Sequence, residues 1–199
     1  AARAAGVEIV AGDTKVVEKG GADKIFINTS GIGLIDSGID ISSKNAQIGD
    51  RIILSGTIGD HGIAILGARE RFDFRTRVKS DSQPLNGLVS EILKASKKIH
   101  TLRDPTRGGL ATALNEIAEQ SGVGIEIEEE KIPVKEEVKG ACEMLGFDPL
   151  YIANEGKLVA FVPEIDCPKI LNTMRNNRYG RNAQTIGKVV AKHKGRVVV

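Results

Sequence analysis

The stretch that most constrains this chain is Arg103-Asp104-Pro105-Thr106-Arg107-Gly108-Gly109-Leu110. Directly after it, Leu110, Ala113, Leu114, Ile117 and Ala118 recur at i, i+3, i+4, i+7 and i+8. That spacing predicts a helix with one apolar stripe, stopped at Gly122. The helix must bury its stripe against a sheet or another helix, so the polar string ahead of it is held at a helix N-terminus. Such an end carries unpaired N–H groups and a positive dipole, which attract anions. Gly108 and Gly109 would let a ligand approach the backbone, and Arg103 and Arg107 suit phosphate oxygens. Asp104 suits Mg²⁺ or an arginine. The same residues also serve a capped helix start with an internal Asp–Arg pair, and residue types leave both readings open.

Two other turns resemble this one in chemistry. Gly12-Asp13-Thr14-Lys15 lies between β-prone runs and gathers a carboxylate, a hydroxyl and an ammonium, types that suit Mg²⁺ and phosphate. On residue types alone, a polar turn closed by its own Asp is the commoner arrangement. Arg51–Ser55 reads as a buried strand running into Gly59-Asp60-His61-Gly62 and a helix, again shaped for an anion or a metal-bound carboxylate. His61 is as well explained by capping or packing. In Asn154-Glu155-Gly156-Lys157, a Glu faces either an active site or its neighbour Lys157.

Elsewhere the pattern predicts a helical turn over Ala1–Gly6, already under way at the first residue. Strands are expected at Val7–Val10 and Lys24–Asn28, a linker or crossing over Asp40–Asp50, and a loop or edge strand over Phe72–Ser80. A helix from Ser82-Gln83-Pro84 carries Leu85, Leu88, Val89, Ile92 and Leu93 and ends near His100. An edge-like strand follows at Gly124–Glu128, and then a helix with Val138, Ala141, Cys142 and Leu145. The strand Leu158–Val162, a helix opened by Pro168 and strands at Thr185–Val190 and Arg196–Val199 complete the chain. Cys142 sits on an apolar stripe, a core position. The glutamates at 128–130 read as a solvated run.

Composition excludes several classes. Two distant cysteines make no disulfide framework and three histidines no zinc spacing, which favours a reducing cytoplasm. No run is apolar enough to span a membrane. From Lys169 to Val199 there are eight basic residues and no acid, so the net charge of +2 leaves everything before Lys169 at −6. This end is either a solvated face or a docking surface for an acidic partner. Tyr179 is its only aromatic, which argues against single-stranded nucleic acid.

Taken together, Gly12–Val17, Ile27-Asn28-Thr29-Ser30-Gly31-Ile32-Gly33, Gly59–Gly62, Ser80-Asp81, Arg103–Leu110 and Asn154–Lys157 resemble the HypE hydrogenase-maturation family. HypE belongs to the superfamily of aminoimidazole ribonucleotide synthetase, selenophosphate synthetase and thiamine-monophosphate kinase. The likeness covers nearly the whole chain. It implies an α+β fold with 1–45 the end of a first, ATP-binding, dimer-forming domain. Residues 46–199 would be a second domain, its mixed sheet covered by helices on one side. It implies ATP-dependent dehydration of an S-carbamoyl group on a C-terminal cysteine to thiocyanate, the source of iron cyanide ligands. ATP and Mg²⁺ are the implied cofactors. A HypF-type carbamoyltransferase, the HypC–HypD complex and a second copy are the implied partners.

By the same resemblance, Asp13 is a magnesium candidate, and Lys15 and Glu155 are catalytic. Asp13, Thr14, Lys15, Asp60, His61, Gly62, Asp104, Thr106, Arg107, Gly108, Gly109 and Asn154 would line the ATP site. The family's acidic metal motif is missing ahead of Ala1 and its Pro-Arg-Ile-Cys tail is missing after Val199, so a fragment without turnover is expected. The competing expectations are a non-catalytic assembly module and a kinase-like member of the same superfamily.

Overall fold

In a computed structural model, residues 1–69 and 77–199 are described. The expected loop or edge strand at Phe72–Ser80 lies partly outside them; residues 77–80 carry no regular structure.

One six-stranded sheet organises the body. Its strands are β1 (Arg51–Leu54), β2 (Thr101–Arg103), β3 (Gly124–Ile127), β4 (Val159–Val162), β5 (Gln184–Val190) and β6 (Val197–Val198), in the order β2-β4-β1-β5-β3-β6. Every pairing is antiparallel except β3 with β6. The helices are α1 (Ala2–Ala5), α2 (Asp60–Ala68), α3 (Asn86–Ala95), α4 (Gly109–Ser121), α5 (Glu136–Leu145) and α6 (Cys167–Asn176). The fold is α+β with a mixed sheet.

Side chains alternate across a strand, and here both faces are buried. Ile52, Leu54, Val159 and Phe161 pack with Leu110, Leu114 and Ile117 of α4. Ile53, Ala160 and Val162 point the other way, onto Leu88 and Ile92 of α3 and Ile170 and Met174 of α6. The expectation of helices on one side only is therefore corrected: the sheet lies between two helical layers. The signal was present in Ile52-Ile53-Leu54, a continuous apolar run rather than an alternating one.

The stripe of α4 buries all five residues that the spacing selects. Three boundaries differ from expectation. The helix begun near Pro84 stops at Ala95, and Thr101–Arg103 is an edge strand paired with Val159–Phe161. The strand at 124–127 is not at the edge, because β6 pairs outside it. Val7–Val10 and Lys24–Asn28 form no strand, since a strand exists only where a neighbour takes its N–H and C=O groups. Along this segment Ile9, Val10, Val16, Ile25, Phe26 and Ile27 are all at least 80% exposed.

The crossing into the body is anchored by Asp50, which is 2% exposed. Its carboxylate accepts the Gln47 N–H at 2.9 Å and lies 2.9 Å from His100 Nδ1.

Candidate functional site

The site is built where β1 ends. Ser55 N–H donates to the Leu158 carbonyl, and Leu158 N–H to Ser55 Oγ, both at 3.0 Å. The chain then turns through Gly56 and Thr57 to the start of α2. Asp60, 1% exposed, occupies the first position of that helix, where the dipole favours a carboxylate. Thr57 Oγ1 donates to Asp60 Oδ2 at 2.6 Å. Lys135 Nζ stands 3.1 Å from Oδ1 as an ion pair, but off a hydrogen-bond line, so Oδ1 accepts no hydrogen bond.

A second arm docks beside it. Asp81 Oδ1 accepts the Glu155 N–H at 3.1 Å, and Oδ2 accepts from Lys157 Nζ at 2.8 Å. The Asp81 and Lys157 side chains are 4% and 8% exposed. Gln83 Nε2 donates to the Gly156 carbonyl at 2.8 Å, and His61 Nδ1 lies 2.9 Å from Ser80 Oγ. Lys157 therefore pairs with Asp81 across the chain and not with its neighbour Glu155, whose carboxylate is exposed.

Within Arg103–Leu110, the second glycine has a packing role. At Gly109, φ is +64°, and a Cβ would stand 2.4 Å from the Leu150 carbonyl oxygen and 2.8 Å from that of Ile152. The glycine is needed for the packing of the 150–152 segment onto the helix end, which that segment covers. Gly62 is similar: its N–H donates to the Ala153 carbonyl at 3.1 Å, and a Cβ would meet Ile152. Thr106 Oγ1 donates to Asp104 Oδ2 at 3.0 Å. Arg103 pairs with Glu116 at 2.6 Å, while Arg107 is exposed and has no ion pair among the described residues.

Asn154, 1% exposed, ties these turns together. Its Nδ2 donates to the carbonyls of Pro105 at 2.9 Å and Ile152 at 3.0 Å. Its Oδ1 accepts the Gly59 N–H at 2.8 Å. Its amide nitrogen and oxygen both bond within the chain, so it positions the turns.

Against this geometry, the AIR synthase related protein, C-terminal domain, family matches residues 47–199. The chain belongs to this family. Among the curated proteins it resembles, at 43–54% identity, are carbamoyl dehydratases HypE. The carbamoyl dehydratase HypE of Azotobacter vinelandii is 54% identical over 96% of this chain and 56% of that protein. A HypE from a HypE–HypF complex superimposes with TM-score 0.94 at 54% identity, covering 98% of this chain and 64% of that one. A HypE solved in complex with ATP gives TM-score 0.93 at 48% identity, covering 99% and 61%. The chain thus spans about half the length of the curated relatives it matches.

Within the AIR synthase related domain, Asn154 brings the Gly59–Gly62, Arg103–Gly109 and Asn154–Lys157 turns to one place. Asp13, Thr14 and Lys15 are not brought there in this chain. They are exposed, and among the described residues their one hydrogen bond is Thr14 N–H to Asp13 Oδ1 at 2.8 Å. Among the described residues no three His, Cys, Asp or Glu side chains gather to hold a metal ion. Sequence reasoning did not select Asp81 and Lys157 as site residues, although Ser80-Asp81 and Asn154–Lys157 are both in the motifs quoted above. It also missed Thr57 and Lys135. These join Lys79, Arg178 and Arg181 around a polar cleft of about 270 Å³.

Proposed function

We propose that this chain is the second domain, with part of the first, of a HypE-type ATP-dependent carbamoyl dehydratase. Residues 1–45 are assigned to the first, ATP-binding domain and 46–199 to the second. The supporting observation is the 54% identity to a carbamoyl dehydratase HypE over 96% of this chain. The superposition on a HypE that holds ATP agrees with it.

In such a reaction the carbamoyl oxygen of a cysteine S-carbamoyl group attacks the terminal phosphorus of ATP, and ADP leaves. The C–O bond then breaks, phosphate departs with that oxygen, and both amide protons go to bases as the C≡N bond forms. Lys15 and Glu155 are assigned as the groups that take those protons. Asp81 holds the main chain of Glu155, and Asn154 fixes the turn that carries it. Magnesium would offset the charge of the triphosphate. Asp13 is the one candidate ligand assigned to it, and no complete donor set gathers among the described residues.

HypF-type carbamoyltransferase is the proposed supplier of the carbamoyl group, in keeping with the HypE–HypF complex among the superimposed structures. A HypC–HypD complex is the proposed cyanide acceptor, a second copy the proposed companion, and the cytoplasm the proposed location. No helix among the described residues is long and apolar enough to cross a membrane.

The test uses the full-length parent carrying a carbamoylated tail cysteine and Mg-ATP, read as loss of one water from the tail by mass spectrometry. Glu155→Gln and Lys15→Met are each expected to lower the rate by about 10²-fold or more. Parental rates in both variants would remove the assignment. The 199-residue chain alone is expected to release no phosphate above background, and release at the full-length rate would overturn that.

A further inference from the structure

The cleft beside Asp60 holds more positive charge than its own carboxylates absorb. Asp81 takes Lys157, and Asp60 faces Lys135. Lys79, Arg178 and Arg181 line the same cleft and form no ion pair among the described residues. Arg178 only stacks over the Tyr179 ring, 4.3 Å from its centroid. Like charges around a concave space repel one another and raise the local concentration of anions.

A second observation narrows the ligand. Asp60 is 1% exposed and lines the cleft, yet its Oδ1 accepts no hydrogen bond. Lys135, 3.1 Å away and half-exposed, offsets the charge of this oxygen, but no aligned donor fills its lone pairs. A ligand that suits both features is an anion that brings its own proton. Phosphate at neutral pH has free oxygens for the guanidinium groups and an O–H for Asp60. Sulfate has the same shape and charge-bearing oxygens but no O–H.

We propose that this cleft is a phosphate site selective against sulfate. Arg178 and Arg181 take the unprotonated oxygens as charge-assisted donors. Lys135, 47% exposed at its side chain, leaves Asp60 and turns onto the anion. Asp60 Oδ1 then accepts the phosphate O–H. Arg178 and Arg181 belong to the loop after α6, so the basic end of the chain acquires a use inside the site. The proposal deepens the dehydratase reading and rests on it for its purpose, since phosphate is the group that reaction expels. Binding itself is a property of the residues present in this chain.

The experiment is calorimetric titration of the 199-residue chain with inorganic phosphate and, separately, sulfate at pH 7 and fixed ionic strength. Phosphate is expected to bind at least about tenfold more tightly than sulfate, and Arg178→Gln/Arg181→Gln to weaken both by about tenfold or more. Asp60→Asn removes the carboxylate charge and leaves one weaker acceptor beside a donor that suits sulfate as well, so the phosphate-to-sulfate ratio is expected to fall. Circular dichroism checks the fold of each variant. If Asp60→Asn does not fold, the ratio in the unmodified chain and the exposed arginine pair still decide. Equal affinities for the two anions, no saturation by millimolar phosphate, or arginine variants that bind as before would each overturn the proposal. Loss of phosphate selectivity with normal thiocyanate formation by the full-length protein would remove this site and leave the dehydratase reading intact. The reverse result would do the opposite.

Discussion

Replacing Lys157 by Met tests the joint on which the site rests. Lys157 Nζ and Asp81 Oδ2 are 2.8 Å apart, with 8% and 4% of their side chains exposed. Met keeps most of the apolar stem that packs under Gly56 and deletes only the charge. Asp81 is then a buried carboxylate with one remaining donor, the Glu155 N–H at 3.1 Å. Stranding one partner of a buried pair costs about 3–5 kcal/mol. At roughly 2–4 °C per kcal/mol for a domain of this size, the melting point should fall by at least about 6 °C. Asp81→Asn/Lys157→Met strands no charge, so the double variant should recover more than about 1 kcal/mol relative to the sum of the two single losses. Lys139→Met serves as the control. It removes an exposed ion pair with Glu136, and such pairs contribute about 0–1 kcal/mol. The assay is urea unfolding of the 199-residue chain, followed by far-ultraviolet circular dichroism. A loss below 1 kcal/mol for Lys157→Met, or a double variant that costs the full sum, would refute the reasoning, because the pair would then not be a desolvated joint.

Three further outcomes follow from the same coordinates. Gly109→Ala places a Cβ 2.4 Å from the Leu150 carbonyl oxygen at φ +64°. The left-handed backbone alone costs about 1–2 kcal/mol, so a loss above about 2 kcal/mol is expected in thermal melts; an unchanged melting point would contradict the close approach. Asn154→Ala strands the Gly59 N–H, while the Pro105 carbonyl keeps only the backbone N–H of residue 154, at 3.2 Å. At about 1–3 kcal/mol for a buried polar group stranded in this way, it should rank among the most destabilising alanine variants, and a near-neutral effect in urea would count against its tying role. Burial, with a smaller contribution from the Asp148 charge, raises the Cys142 thiol pKa above its ordinary value. The folded chain therefore keeps a proton that the unfolded chain has already released, so the stability from this group falls as pH rises past the ordinary thiol range. Cys142 should resist alkylation at pH 8.5 until urea is added; equal rates folded and unfolded would contradict its burial.

Much of this chain was legible locally. The α4 stripe, the buried run Arg51–Ser55, the core position of Cys142 and the helix behind Pro168 all follow from spacing and stop residues, because an amphipathic period is written in consecutive positions. The family is legible for the same reason: its turns are short strings of residues. What lay outside reach was every fact that depends on a distant segment. Whether Val7–Val10 is a strand depends on a neighbour that no local pattern records. That helices cover both faces follows from where α3 and α6 return to the sheet. Asp81 was visible in a motif, but its meeting with Lys157, 76 positions later, depends on how the 80–83 segment folds back. That Gly109 must lack a Cβ for the 150–152 segment to pack against the helix end is likewise seen only when both segments are in place. The amino-acid order determined which side chains can carry charge, and where helices and turns begin. Tertiary structure alone decided which charges are desolvated, which are paired and which face a common cleft, because desolvation and pairing are properties of contacts between segments far apart in the chain.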